Sequence, residues 1–184
     1  MGKFSFAKEY LLKPRSVGAV LPSSNHLAER MVQNIDFSTA KCIVEYGAGT
    51  GVFTKKILQL KKPETVLIVF ENNEHFYKPL QEEYSNQPNV YITNDSAVDI
   101  GAHLQKHGLA QADYVVSGLP FASLPHDVSE GILTQTKKHL HETGCFITFQ
   151  YTLLKMDFFA RFFDEIRTQK EWCNVPPAYV LACK

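Results

Sequence analysis

The chain lacks the features that most quickly sort a protein into a class. Its four cysteines, Cys42, Cys145, Cys173 and Cys183, form no CxxC pair and have no histidine at a zinc-ligand spacing. That pattern disfavours a metal site or a disulfide framework and favours reduced structural thiols. No stretch approaches the roughly 18 apolar residues of a membrane span, and the opening MGKFSFAKEYLLKPR has no continuous apolar run of the kind a signal peptide needs. Net charge is also missing: 19 basic residues balance 19 acidic ones, so no global field draws in a polyanion. No repeat, low-complexity tract or interdomain linker interrupts the 184 residues. What is present is apolar mass. A 45% hydrophobic content is enough for one substantial core without a staple, and a single domain over 1–184 is expected.

From residue 41 onward, β-branched runs alternate with helical patterns. The spacing predicts strands over 41–47, 64–71, 89–95, 112–120 and 144–151, separated by helices over 51–62, 73–86, 97–108 and 127–144. Pro79 could kink the second of these helices, and Gly144 reads as the stop of the last. Near-continuously hydrophobic strands separated by helices imply a parallel sheet covered on both faces. After a helix over about 153–168, EWCNV and YVLACK are separated only by PPA, too short for a helical crossover, so they should pair antiparallel. The expected fold is α/β: a Rossmann-like, seven-stranded, mostly parallel sheet with an antiparallel last strand and helices on both faces. It divides into an N-terminal helical segment (1–40), a core (41–151) and a final helix with its hairpin (152–184).

In such sheets ligands sit at the carboxyl ends of the strands. VEYGAGTG puts Gly47, Gly49 and Gly51 at the first strand exit, where glycine permits positive φ and close backbone approach. A dinucleotide fingerprint would need glycine at position 52, which is Val, so a nicotinamide dehydrogenase is disfavoured. Glu71 closes the second strand, either as a solvated charge or as an acceptor for both hydroxyls of a ribose. Asp95 closes the third, either as a turn or capping residue or as an acceptor for an exocyclic amine. Three successive strand ends therefore describe a nucleoside site with a glycine loop for a tail that is not a phosphate.

VEYGAGTGVFT, Glu71, NDSA and SGLPF, in that order, resemble the class I S-adenosylmethionine-dependent methyltransferases over residues 41–151. The resemblance implies S-adenosylmethionine as cofactor, with Glu45, Gly47, Gly49 and Gly51 at its methionine part, Glu71 and Asn72 at the ribose, and Asp95 with Ser96 at the adenine. VGAVLPSSNHLAERM, SGLPF and NVPPAYV look more narrowly like the bacterial phospholipid N-methyltransferases, which methylate phosphatidylethanolamine. Ribosomal RNA adenine dimethyltransferases read N-(I/L)-P-(Y/F) where this chain has GLPF, so Gly118 stands where their Asn accepts from adenine.

That departure favours another amine. The acceptor loop Ser117, Gly118, Leu119, Pro120 and Phe121 would orient an ethanolamine nitrogen through the Gly118 or Leu119 carbonyl. The Phe121 ring would either face the cation or pack in the core; Ser117 also borders the cofactor. Tyr151 lines the acceptor pocket or packs. No general base stands out among the seven histidines, His126 included. Residues 1–15 carry four basic residues against Glu9, interleaved with Phe4, Phe6, Tyr10, Leu11 and Leu12, which fits a lid over the cofactor, contact with an anionic bilayer, or both. Ser23 or Ser24 should cap a following helix with Leu27, Ala28 and Met31 inward.

The leading reading is a cytoplasmic or peripheral N-methyltransferase with an amine-bearing acceptor, foremost a phospholipid, and no metal. An RNA adenine methyltransferase has against it the neutral charge, Gly118 and no expected RNA-binding domain beyond residue 184. A cofactor-binding protein without catalysis is the third.

Overall fold

The structure is a computed structural model that describes residues 24–184. The segment 1–15 and the expected wall SVGAVLPSS, save Ser24, lie outside the described residues. In chain order the elements are α1 (Asn25–Val32), β1 (Cys42–Tyr46), α2 (Val52–Leu60), β2 (Val66–Phe70), α3 (Glu74–Tyr84) and β3 (Val90–Thr93). A 3-10 turn (Ala97–Asp99) leads into α4 (Ile100–Lys106), followed by β4 (Ala112–Ser117), α5 (His126–His139), β5 (Leu140–Gln150), α6 (Met156–Phe159), β6 (Ile166–Glu171) and β7 (Ala178–Cys183).

The seven strands form one sheet in the order β3-β2-β1-β4-β5-β7-β6. The pairs among β1 to β5 are parallel, and β7 runs antiparallel to both β5 and β6. Alternating strand residues feed two cores. Ile43, Leu67, Val69, Val116 and Ile147 pack with α1, α2 and α3 through Leu27, Ile57 and Leu80. Val44, Ile68, Phe70, Val115 and Phe146 pack with α4, α5 and α6 through Ile100, Leu133 and Phe159. Helices thus cover both faces, as the unbroken apolar strands require. Ser24 caps α1, accepting from the Leu27 N–H at 3.1 Å, and Leu27, Ala28 and Met31 are buried.

The structure differs from the sequence expectation at three places. Gly144 does not stop a helix: α5 ends at His139 and β5 begins at once at Leu140. The register shifts between Ala112↔Leu140 and Tyr114↔Cys145, so residues 141–144 bulge from the ladder. A Cβ at Gly144 would lie 2.8 Å from the carbonyl oxygens of Asp113 and His141, which is why the bulge carries glycine. The helix expected over about 153–168 is the single turn α6, because Ile166–Glu171 pairs with β7 from Ile166↔Cys183 to Glu171↔Ala178. Consequently EWCNV is not a strand; residues 172–177 are the connection between β6 and β7.

Register fixes what the carboxyl edge holds. Tyr46 pairs with Phe70 and Ser117, Ser117 with Thr148, Thr148 with Leu181, and Leu181 with Thr168. The glycine turn after β1, the loops after β2, β3, β4 and β5, and the β6–β7 connection therefore leave the sheet along one edge.

Candidate active site

The turn after β1 is built on backbone conformations that side chains resist. Gly47, Gly49 and Gly51 have φ of 66°, 55° and 78°. A Cβ at Gly47 or Gly51 would meet Leu119 or Leu80 at 2.7 Å, whereas Gly49 has nothing within 4 Å. The middle of the turn is thus open, with α2 starting immediately after it. Glu71, one residue beyond β2, ties this turn down: its carboxylate accepts from the Gly49 N–H at 2.7 Å and from the Asn73 N–H at 2.9 Å. Burial raises its pKa, and these two donors oppose the rise. Asn72 is half-buried beside it, and Asn73 caps α3 by accepting from the His75 N–H at 3.0 Å.

Glu45 is built differently. It sits in β1 on the face that carries Ile43 and is completely buried. Its polar neighbour is Thr54 of α2, whose contact with the carboxylate falls short of a well-formed hydrogen bond. Burial pushes the Glu45 carboxyl up to about 8; the neighbouring Thr54 moderates the shift and the Glu71 charge adds to it. An ionised carboxylate so placed carries a large desolvation penalty that a cationic group would relieve.

Asp95 and Ser96 follow β3. The Asp95 carboxylate is more than half exposed and accepts from the Thr93 hydroxyl at 2.8 Å; it lies 2.9 Å from His103 Nε2. The Thr93 and His103 contacts hold its pKa low. Ser96 caps the 3-10 turn, accepting from the Val98 N–H. Glu71 and Asp95 therefore both have partners within the chain, while their remaining lone pairs stay available.

In the acceptor loop, Ser117 is fully buried; its hydroxyl accepts from the Leu119 N–H at 3.2 Å and its carbonyl from the Thr148 hydroxyl at 3.3 Å. The Gly118 N–H donates to the Tyr46 carbonyl at 2.8 Å. A Cβ on Gly118 would lie 2.6 Å from the Gly47 carbonyl oxygen, so this glycine is what lets the loop after β4 lie against the turn after β1. Leu119 packs over Gly47, and Pro120 accepts from the Ser123 N–H at 2.8 Å. Of the two alternatives for Phe121, facing a cation or packing, the structure has the ring packed. It is 1% exposed and packs edge-on against Phe146 and Phe159, with centroids 6.0 and 5.4 Å away. Tyr151 is half-buried against Phe149.

Thr54 and His103 carry no signal in the sequence, and the role of NVPP in the β6–β7 connection emerges only from its partners. Glu171 accepts from the Cys173 N–H and from Arg30 of α1, while Asn174 accepts from the Ser24 N–H and donates to the Pro176 carbonyl. NVPP therefore fastens this connection to the start of α1. Among the described residues no group of histidine, cysteine and carboxylate could hold a metal ion, and no helix is long and apolar enough to cross a membrane.

A family model described as ribosomal RNA adenine dimethylase matches residues 16–170. Ornithine lipid N-methyltransferase of Singulisphaera acidiphila is 34% identical over 183 residues, covering 98% of this chain and 95% of that protein. Ribosomal RNA small subunit methyltransferase A of Thermotoga petrophila is 26% identical over 118 residues, 64% of this chain but 42% of that protein. The solved structures of ribosomal protein L11 methylase from Lactobacillus delbrueckii subsp. bulgaricus and precorrin-6y C5,15-methyltransferase from Geobacter metallireducens share the fold, each with a TM-score of 0.60. They are 12% and 15% identical; the matches cover 86% and 87% of this chain, and 77% and 87% of theirs.

Proposed function

Because the chain belongs to the ribosomal RNA adenine dimethylase family and is an S-adenosylmethionine-dependent methyltransferase, we propose that its acceptor is the amine of a membrane lipid headgroup. The observation that carries this reading is Gly118. The residue that would read adenine through an Asn side chain has no room for a Cβ against the Gly47 carbonyl, so recognition falls to the backbone, which suits a small, flexible amine. The ornithine lipid methyltransferase, similar over nearly its whole length, supports a lipid amine. Phosphatidylethanolamine and an ornithine-type aminolipid are the two acceptors to test.

The residues fit the cofactor. Glu45 is a fully buried carboxylate whose contact with Thr54 falls short of a well-formed hydrogen bond, suited to the ammonium of the methionine part, and the space over Gly49 admits a ligand against bare backbone. Glu71 and Asn72 would take the ribose hydroxyls, and Asp95 with Ser96 the adenine. When bound, the cofactor supplies an electrophilic methyl group on a sulfonium. The acceptor loop then positions the amine. The Leu119 carbonyl already accepts from the Phe121 N–H, leaving the Gly118 carbonyl to accept an amine hydrogen and aim the nitrogen lone pair. The amine must be neutral to attack. His126, next along the loop, is exposed and faces Glu130 at 3.7 Å, so the proton is released to water.

The test is transfer of labelled methyl from S-adenosylmethionine to anionic vesicles containing either aminolipid, with unmodified ribosomal RNA in a parallel reaction. Label in the lipid is expected. Label in RNA alone would replace this reading with the activity named for the ribosomal RNA relatives.

A further inference from the structure

Six large apolar side chains are exposed among the described residues, and two of them, Leu60 and Tyr91, stand apart on α2 and β3. The other four gather on two loops at the carboxyl edge. Leu153 and Leu154 follow β5 and are 42% and 89% exposed; Trp172 and Val175, between β6 and β7, are 68% and 72% exposed. The pairs Gln150↔Tyr179 and Lys170↔Tyr179 bring the roots of both loops side by side. Scattered apolar side chains are ordinary on a protein surface; a cluster beside a site requires a cause.

The charges around the cluster select its occupant. Residues 151–155 and 172–177 contain no acidic residue and one basic residue, Lys155. The Lys170 ammonium lies 3.6 Å from the centroid of the Trp172 indole. Glu171, the nearest acid in the second loop's stem, is buried and neutralised by Arg30. Apolar tips backed by lysines, with an indole at the boundary, match the border between anionic headgroups and acyl chains. They match poorly a protein partner, whose polar rim would call for charges of both signs.

We infer that Leu153, Leu154, Trp172 and Val175 form a docking surface that inserts into an anionic lipid interface and presents the acceptor loop to it. This rests on the lipid-amine reading, and it concerns residues other than 1–15. A headgroup amine cannot travel far from its bilayer, so an enzyme that methylates it must bring its own edge to the surface. The loop 118–121 leaves the same edge of the sheet.

Trp172 is the chain's single tryptophan, so its fluorescence reports on this surface alone. The full chain is titrated with phosphatidylglycerol vesicles and, separately, phosphatidylcholine vesicles, neither containing an aminolipid. The surface predicts a blue shift and quenching by brominated acyl chains on the anionic vesicles. It further predicts that Leu154→Asp and Val175→Asp each weaken partitioning about tenfold, the effect of keeping one large apolar side chain out of the interface. Methyl transfer to a short-chain aminolipid below its micelle concentration should persist in both variants. Unmoved emission on anionic vesicles overturns the inference, even if the wild-type protein methylates lipid and the acceptor reading stands. Insertion of Trp172 without methylation of either aminolipid upholds the surface and defeats the acceptor reading. A blue shift with protein concentration alone, or with RNA, assigns the cluster to another contact and overturns the inference.

Discussion

The two halves of the carboxyl edge work with different materials. At β1, β2 and β3 the strand ends carry carboxylates: Glu45, Glu71 and Asp95. At β4 and β5 they carry backbone, rings and one small hydroxyl: Gly118, Phe121, Tyr151 and Ser117. The first half offers charge in fixed places, suited to a cofactor that does not vary. The second offers shape, and it is tied to the first where Gly118 lies against the Gly47 carbonyl, its N–H donates to the Tyr46 carbonyl, and Leu119 packs over Gly47. On the proposed function, specificity for the acceptor would be set by packing and by the loops beyond, and affinity for the cofactor by side chains that can be tested singly.

The sharpest break of this contrast is at Phe121. If the ring is packing, Phe121→Ala should lower the unfolding free energy by roughly 3–5 kcal/mol in urea denaturation, and Phe121→Leu by far less. Near-native stability of the alanine variant with lost turnover would return the ring to the acceptor side.

Glu45 tests the opposite half. Its carboxyl is raised from 4.5 to about 8 in the folded protein, so the folded state binds the proton more tightly than the unfolded one. The cofactor-free protein should then be most stable below about pH 4.5 on this account and lose that contribution as pH rises through about 8. Glu45→Gln should abolish the loss, gaining on the order of a few kcal/mol near pH 8, while weakening cofactor binding by about 1.5–3 kcal/mol. Melting curves from pH 5 to 8, with and without S-adenosylhomocysteine, separate the two effects; a variant with wild-type pH dependence would mean Glu45 finds a partner.

The two halves were also unequally legible. Glu71 and Asp95 stand out in sequence because they close successive apolar runs after a glycine turn, a coincidence more specific than either acid alone, and the glycine spacing shows where positive φ is needed. Phe121 could be read either way, since the same ring at a strand exit can face a ligand or turn inward, and only Phe146 and Phe159 decide it. Gly144 misled because a glycine after a helical pattern fits a helix stop, whereas the bulge opposite Asp113 is a long-range requirement. The helix expected over about 153–168 failed for the same reason: local pattern is overridden by pairing of Ile166–Glu171 with β7. Glu45 was assigned by resemblance, but its full burial beside Thr54 and Glu71 was invisible until the fold placed them around it.

Smaller effects sharpen the border between the halves. Gly118→Ala should cost about 1–3 kcal/mol of stability, since its Cβ meets backbone rather than a yielding side chain, and turnover should fall more than cofactor affinity. Gly49→Ala meets nothing and should lose only what its φ of 55° imposes, about 1–2 kcal/mol.

Asp95 is where the least is expected. Its carboxylate is exposed and already engaged by Thr93 and His103, so water and these partners compensate for much of any adenine contact. Asp95→Ala should weaken S-adenosylhomocysteine binding by roughly 1 kcal/mol, about fivefold, by calorimetry. His103→Ala, which removes one of the two groups that hold Asp95 together with an edge-on contact to Phe70, should weaken it less. Unchanged affinity in Asp95→Ala with a lowered melting temperature would show that the carboxylate merely fastens the turn after β3 to α4. The charged half of the edge would then rest on Glu45 and Glu71 alone.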